Sequence, residues 1–590
     1  MKILATTAAF SAASALAVLA LPATAQQQYA PTAITRPDVT DLGFAPAGTT
    51  VKLALVLNYR DQAALDALVL QQGTPGSPLY HSFLTPEQFA ARFGPTQAAH
   101  DGVVAALQRA GFTILRTYPN RTVIDVVAPA SVAGAYFRTQ FHLVEQAAHG
   151  SRYANATAAT LPAELAASVS TVLGLDNLVK VHTHNKPARY YVDATRQPDA
   201  STAAGPPIER KVGNQFAGLY PAALSIAYKF PAQSGFTGAG HAIGIVIDSD
   251  IANSDLSTFW AAAGVTRTGT LNRVLVQGSN PGVNGDVGET AIDTETTSSL
   301  APAANIDVYL ITSLDDAPIE DAYNRVISDN IVDVASSSFG GCELGDTPFA
   351  AATNAIAEQG VALGITFTAS TGDAGGDCED ETSGGTLFYS PDIVNSPASG
   401  PYFMAVGGTR LLVNPNTGVR VSETAWTPGG SSGGGGGGVS SYWPRPSYQT
   451  GVTGIAVVPN VTERTPDFQP VKGFAGRNIP DISLDASNGF GSYIAVYDTP
   501  DGGWTGYGGT SVSNPVFAAM VAEQNQKTGS RAGFANPALY ATFTNNGATP
   551  AGIYGVDFLD VTSGSIGAGW SAHAGYDQAT GIGTILGGAF

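Results

Sequence analysis

The stretch GGTSVSNPVFAAMVAEQNQK, residues 508–527, sets a serine directly behind a glycine turn and at the head of a long apolar run. A serine where a turn enters a helix presents its hydroxyl and amide at the positive helix end, the setting of a nucleophile. Ser511 then needs a base, and the usual base is histidine. The chain has 8 histidines. His81, His100, His142, His149, His182 and His184 all lie in the first third. Only His241 and His573 remain near the serine's own domain, neither in a recognisable catalytic context. A carboxylate is therefore the expected acceptor of the Ser511 proton, and an enzyme built that way works in acid.

Around this stretch, from about residue 213 onward, Gly-, Ser- and Thr-rich loops separate solid apolar runs. These are AIGIVID (242–248), ANIDVYLIT (304–312), IVDVASSS (331–338), VALGITFTAS (361–370) and YFMAVGG (402–408). They are β-rich with little alternation, and helical segments such as PIEDAYNRVISD (318–329) and FAAATNAIAEQ (349–359) fall between them. Continuous apolar strands alternating with helices predict an α/β domain whose mostly parallel sheet is covered on both faces. Active residues in such sheets gather in loops beyond the carboxyl ends of the strands. The six glycines 433–438, behind Gly429-Gly430-Ser431-Ser432, read as low complexity, a flexible loop as readily as a functional one.

The first residues, MKILATTAAFSAASALAVLALPATAQ, carry one lysine, a modest apolar stretch and Ala23-Thr24-Ala25, the pattern of a secretory signal cut after Ala25. No later segment has ~18 uninterrupted apolar residues, so no membrane span is expected. Residues 26 to about 180 form a region of their own. VKLALVLN (51–58) reads as a strand, DQAALDALVLQQ (61–72) and QAAHDGVVAALQRAG (97–111) as helices. LTPEQFAARFG (84–94) is a short helix with Thr85 as N-cap and Pro86 at its first position. FTILRTY and TVIDVVAP are strands joined by a turn at Pro119-Asn120. This order suggests a small α/β sandwich of the split βαβ, ferredoxin-like type. Residues 182–211 lose periodicity, gather Pro, Ala and charges, and read as an exposed linker where a precursor is cut.

Of 590 residues only 13% are charged, with a net charge of −19. That balance argues against a nucleic-acid partner, which needs clustered Lys and Arg. It also suits acid, where few ion pairs must survive protonation of their carboxylates. Two cysteines, Cys342 and Cys378, in an exported chain point to one disulfide.

Glu289-Thr-Ala-Ile-Asp293, followed by Thr-Glu295, falls on a segment that reads as helical. A spacing of four puts Glu289 and Asp293 on one face, where like charges resist double ionisation and share a proton. Taken alone, the same pattern is a solvated helix face. Asp373, in Thr371-Gly372-Asp373-Ala374-Gly375, ends the apolar run GITFTAS at the carboxyl end of a strand. A buried aspartate kept neutral in an acidic medium can donate a hydrogen bond to an oxyanion. Taken alone, it is a turn aspartate.

The order Glu289, Asp293, Asp373, Ser511 in an alternating α/β domain resembles the sedolisin, or serine-carboxyl peptidase, family, and is kumamolisin-like. The phrases that carry the resemblance are GETAIDTE (288–295), STGDAG (370–375), AVGGTRL (405–411) and GGTSVSNPVFAAMVAEQNQK (508–527). YHSFLTPEQFAARFGP (80–95) resembles that family's activation prodomain. The resemblance implies a subtilisin-like catalytic domain over 213–590, a prodomain over 26–180 and a linker with the processing site over 181–212. It implies that Ser511 is the nucleophile and Glu289 the general base, oriented by Asp293. Asp373 would stabilise the oxyanion together with the Ser511 amide. It makes Asp248, ending AIGIVID, the candidate to extend the carboxylate chain. Phe339 stands where the kumamolisin pattern has tryptophan, which removes an N–H from the surroundings of the acidic pair. The family's single structural Ca²⁺ would fall to Asp560 and the Val561 carbonyl, with Asp577 and the carbonyls of His573 and Gly575. The disulfide would tie the SFGG loop to the TGD loop. SSFGG and the glycine run would offer edges for a peptide substrate.

The leading expectation is a secreted (extracellular or periplasmic), monomeric, acid-active endopeptidase made as a zymogen. Proteins or peptides are its substrates, and its own prodomain is its intramolecular inhibitor. A subtilisin-type Ser-His-Asp enzyme requires histidine on the helix where Glu289 stands. A catalytically silent secreted binding protein is the alternative from another class.

Overall fold

The computed structural model describes residues 28–29, 36, 38–147, 149–188, 206–212, 215–380, 388–428, 433–459, 473–545 and 556–587. The expected signal sequence, residues 1–25, lies outside them. The N-terminal region builds a four-stranded antiparallel sheet in the order Thr113–Thr117, Val123–Pro129, Thr50–Leu57, Val169–Leu173. Numbered by sequence that order is 2-3-1-4, with helices in both crossovers: the expected split βαβ arrangement. Its apolar face carries a core of its own, including Val51, Leu53, Leu107, Ile124, Val126 and Phe137. The short helix Pro86–Arg92 has the anticipated N-terminus. Thr85 Oγ1 accepts from Gln88 N–H at 3.2 Å, and Gln88 Oε1 accepts from Thr85 N–H at 2.8 Å.

In the larger region, parallel strands line up as Leu271–Leu275, Asn305–Leu310, Ala242–Ile247, Val334–Ser337, Thr366–Ser370 and Phe403–Val413. Ile482–Asp485 adds in parallel to the middle of the last strand, and Arg420–Ala425 adds antiparallel to its end. The central strands are buried on both faces, which explains their unbroken apolar runs. One expected strand was too long. In VALGITFTAS, Val361 and Ala362 finish the helix Thr347–Ala362, and the strand begins at Thr366. Gly364, at φ 89°, makes the break.

The two regions dock through polar and apolar contacts on the helices flanking one face of this sheet. Tyr59 O–H donates to the Ala355 carbonyl at 2.7 Å, Asn120 Nδ2 to Asn324 Oδ1 at 2.8 Å, and Leu84 N–H to the Ala362 carbonyl at 3.0 Å. Leu65, Leu68, Phe89 and Phe93 of the first region join one apolar cluster with Ile319, Tyr323, Phe349 and Ile356 of the second. Among the described residues, no helix is long and apolar enough to cross a membrane.

Candidate active site

The strand Gly503–Gly508 runs straight into the helix Thr510–Thr528, with Gly509 alone at the corner. Gly509 has φ 111°, a conformation L side chains avoid. A Cβ there would also lie 2.1 Å from the His184 carbonyl oxygen and 2.8 Å from Asp373 Oδ2. The serine helix is buried continuously from Thr510 to Asn525. Beside it packs the acidic helix Val287–Leu300, buried continuously from Val287 to Ser298. Glu289, Asp293 and Glu295 are each 0% exposed, which removes the solvated-face reading of that helix. Ser338 and Asp373 arrive just past the carboxyl ends of Val334–Ser337 and Thr366–Ser370, where a parallel sheet places its reactive loops.

Glu289, Asp293, Asp373 and Ser511 thus meet at one point. Ser511 Oγ donates to the Ser338 carbonyl at 3.0 Å. Burial, then the neighbouring Asp293, raises Glu289 well above the carboxylate range, while the Asn185 amide and the Ser511 hydroxyl pull it down. Burial pushes Asp293 up to about 8 against the hydroxyl of Ser338, which donates to Asp293 Oδ1 at 2.7 Å. A pair this dry holds one proton between its members, because a second negative charge has neither solvent nor cation to receive it. Asp373 Oδ1 accepts from Thr510 N–H at 2.7 Å and Thr510 Oγ1 at 3.0 Å. That fixes the carboxyl at the head of the serine helix.

The support around these groups differs from expectation in two places. Phe339 is buried in the apolar cluster shared by the two regions. The hydrogen bond to the acidic pair comes instead from its neighbour Ser338, itself 3.4 Å from Asn514 Nδ2. Sequence reasoning missed Ser338 and Asn514; the serine run that follows the apolar IVDVA and the polar Ser513-Asn514 at the head of PVFAAMVA were the available signal. Asp248 is buried, and burial together with Asp286, just ahead of the acidic helix, raises it to about 8. Its carboxyl pairs with that of Asp286, ahead of the Glu289–Asp293 pair. The described part of the glycine run is no free loop. Gly434 N–H donates to the Asp373 carbonyl, Gly436 N–H to the Gly372 carbonyl, both at 2.8 Å, and Gly375 N–H to the Gly434 carbonyl at 2.9 Å. It braces the Asp373 turn rather than offering that edge to a peptide.

SSFGG does pair with an extended segment, and that segment belongs to the chain itself. Residues 182–188, expected within an exposed linker, cross the site, and His184 is only 1% exposed. The expectation failed because edge pairing to a cleft consumes backbone hydrogen bonds and leaves no apolar periodicity to read. Residues 189–205 lie outside the described residues. Neither histidine of the larger region serves Ser511: His241 bonds Asp333 at 3.2 Å, and His573 lies on the loop that precedes Asp577.

Cys342 and Cys378 form a disulfide, with Cα atoms 5.4 Å apart, that links the SFGG strand to the loop beyond Asp373. Farther off, Asp560 and Asp577 bracket the turn 573–575. Gly575 N–H lies 3.3 and 3.2 Å from the two Asp560 oxygens, and His573 N–H donates to Asp577 Oδ2 at 2.8 Å. Among the described residues no group of three or more His, Cys, Asp or Glu side chains converges. Two carboxylates supplemented by backbone carbonyls nevertheless fit a hard cation.

Residues 37–178 match the family model described as Pro-kumamolisin, activation domain, and residues 282–560 match the Subtilase family. The chain is 30% identical over 557 residues to sedolisin of Pseudomonas sp. (strain 101), spanning 91% of this chain and 86% of that protein. The chain belongs to the sedolisin family. It is 29% identical over 561 residues to xanthomonalisin of Xanthomonas sp. (strain T-22), spanning 90% of this chain and 64% of that protein. The solved structure of Pseudomonas sedolisin, a serine-carboxyl proteinase complexed with two molecules of pseudo-iodotyrostatin, superposes with a TM-score of 0.51 at 27% identity. It covers 62% of this chain and 95% of that one. In this sedolisin-family chain the Pro-kumamolisin match coincides with the split βαβ unit, and Glu289 occupies the helix where a Ser-His-Asp subtilase needs histidine.

Proposed function

We propose that the chain is a secreted, acid-active serine-type endopeptidase, made as a zymogen, that hydrolyses peptide bonds of proteins. The observation that carries this reading is the buried Glu289–Asp293 pair beside Ser511, with Asp373 fixed at the head of the same helix. Ser511 Oγ attacks the substrate carbonyl and passes its proton to Glu289, kept receptive by the Asp293 carboxyl behind it. The developing oxyanion takes the Ser511 N–H and a proton-bearing Asp373. Glu289 then returns its proton to the leaving amine, and water releases the acyl group from Ser511. The pair keeps its shared proton well beyond the usual carboxylate range, and it is a neutral Asp373 that calls for an acidic medium. A Ca²⁺ held by Asp560, Asp577 and the carbonyls of Val561, His573 and Gly575 would pin the two C-terminal loops together.

The test is incubation of the purified precursor in acid buffer, followed by gel electrophoresis and hydrolysis of denatured protein. Wild type is expected to shed its prodomain and degrade the substrate, and Ser511→Ala to do neither. A wild type that stays whole and leaves the substrate intact supports the catalytically silent binding protein instead.

A further inference from the structure

The segment joining the two regions crosses the active site in the manner of a substrate. His182–Thr183 pair antiparallel with Phe339–Cys342 on one side of Ser511, and Lys186–Pro187 pair antiparallel with Gly503–Gly508 on the other. Between these anchors His184 N–H donates to the Ser338 carbonyl, and Ser511 N–H donates to the His184 carbonyl, both at 3.0 Å. The His184 carbonyl oxygen and Asp373 Oδ2 crowd the same face of Gly509. The oxygen of a scissile bond belongs at that spot, against the amide of the nucleophile and the acid that stabilises its charge. Asn185, which carries the leaving nitrogen, donates its side-chain amide to Glu289 Oε2 at 2.7 Å.

The His184 side chain fills a closed pocket. Its Nδ1 lies 2.7 Å from Ser370 Oγ, and its ring meets His182 edge-on at 5.2 Å. Gly340 forms one wall. A Cβ there would lie 2.7 Å from His184 Cε1 and 2.8 Å from the Ser396 carbonyl oxygen, so the pocket depends on a missing side chain.

We propose that His184–Asn185 is the bond this enzyme first cuts in its own chain, and that Ser370, in a pocket kept open by Gly340, makes histidine its preferred acyl-side residue. The inference rests on the peptidase reading above. Ser511 Oγ bonds to the His184 carbonyl carbon as its proton passes to Glu289. The C–N bond breaks as that proton moves to the Asn185 nitrogen, leaving a Ser511 ester. Water then hydrolyses the ester, giving a His184 carboxylate and restoring the serine hydroxyl. The new chain begins at Asn185.

The full-length protein is acidified, quenched at intervals and analysed by N-terminal sequencing and intact mass. Asn185 is expected as the earliest new N-terminus, absent from Ser511→Ala. An earlier Ser511-dependent cut at any other bond overturns this inference and leaves the peptidase reading standing. No cut together with no hydrolysis of denatured protein brings down both. Subsite preference is read on the matured enzyme with peptides differing only in histidine or leucine at the acyl side. Wild type is expected to favour histidine in kcat/KM, and equal rates overturn the pocket assignment. In Ser370→Ala the histidine-to-leucine ratio is expected to fall about fivefold, the weight of one hydrogen bond, and an unchanged ratio overturns the role of Ser370.

Discussion

Replacing Asp293 by asparagine is expected to stabilise the fold at neutral pH while abolishing proteolysis. Asp293 is 0% exposed, and burial lifts it from an ordinary 3.8 to about 8. Below its ordinary value both folded and unfolded chains hold the proton, and Asp293 adds no pH dependence. As pH rises, the unfolded chain releases the proton first, so unfolding gains about 1.4 kcal/mol per unit until the folded form also ionises near 8. At pH 7 about three units have been crossed, a contribution of about 4 kcal/mol against folding. Asparagine carries no such proton, and its carbonyl still accepts the Ser338 hydroxyl. Glu289 loses a like-charged neighbour and becomes easier to ionise, which adds to the gain. The comparison is made in a Ser511→Ala background to prevent self-digestion. Urea unfolding between acid and neutral pH is followed by the fluorescence of Trp426 and Trp504, both 2% exposed. Equal stability in acid and a gap that widens toward neutrality is the expected result. A gap that stays constant with pH would refute a proton trapped on this pair.

Three further outcomes follow from the same geometry. Ser338→Ala removes the donor that favours ionised Asp293, so the upper limb of the stability–pH curve in the Ser511→Ala background, where the folded chain gives up that proton, should move upward by about 0.7 unit, the equivalent of one hydrogen bond of about 1 kcal/mol. A limb that stays in place denies Ser338 that role. Cys342→Ser combined with Cys378→Ser opens a link between residues 36 apart, and urea unfolding should show a loss of about 4 kcal/mol. A chelator should lower the thermal midpoint and calcium restore it, with neither effect in Asp560→Asn; a midpoint insensitive to both excludes the proposed ion.

Much of the fold was legible locally. Unbroken apolar strands between helices announced a parallel sheet, because both its faces are covered. The Thr85 cap and the Gly111 turn, at φ 97°, marked helix ends by chemistry confined to a few residues. Glu289 and Asp293 were legible as a pair because a helix places residues four apart on one face. Residues held by contacts between distant segments were not. The hydroxyl that orients Asp293, the bond between the glycine run and the Asp373 turn, and the pairing of Asp248 with Asp286 all join segments far apart in sequence.

Ser511 and its four-residue-spaced carboxylates were written in the sequence, because helical period and turn chemistry are local properties. That His184 presents its carbonyl to the Ser511 amide was decided only by the tertiary structure. A segment with no core face of its own takes its place by pairing with edges that the rest of the chain must first build.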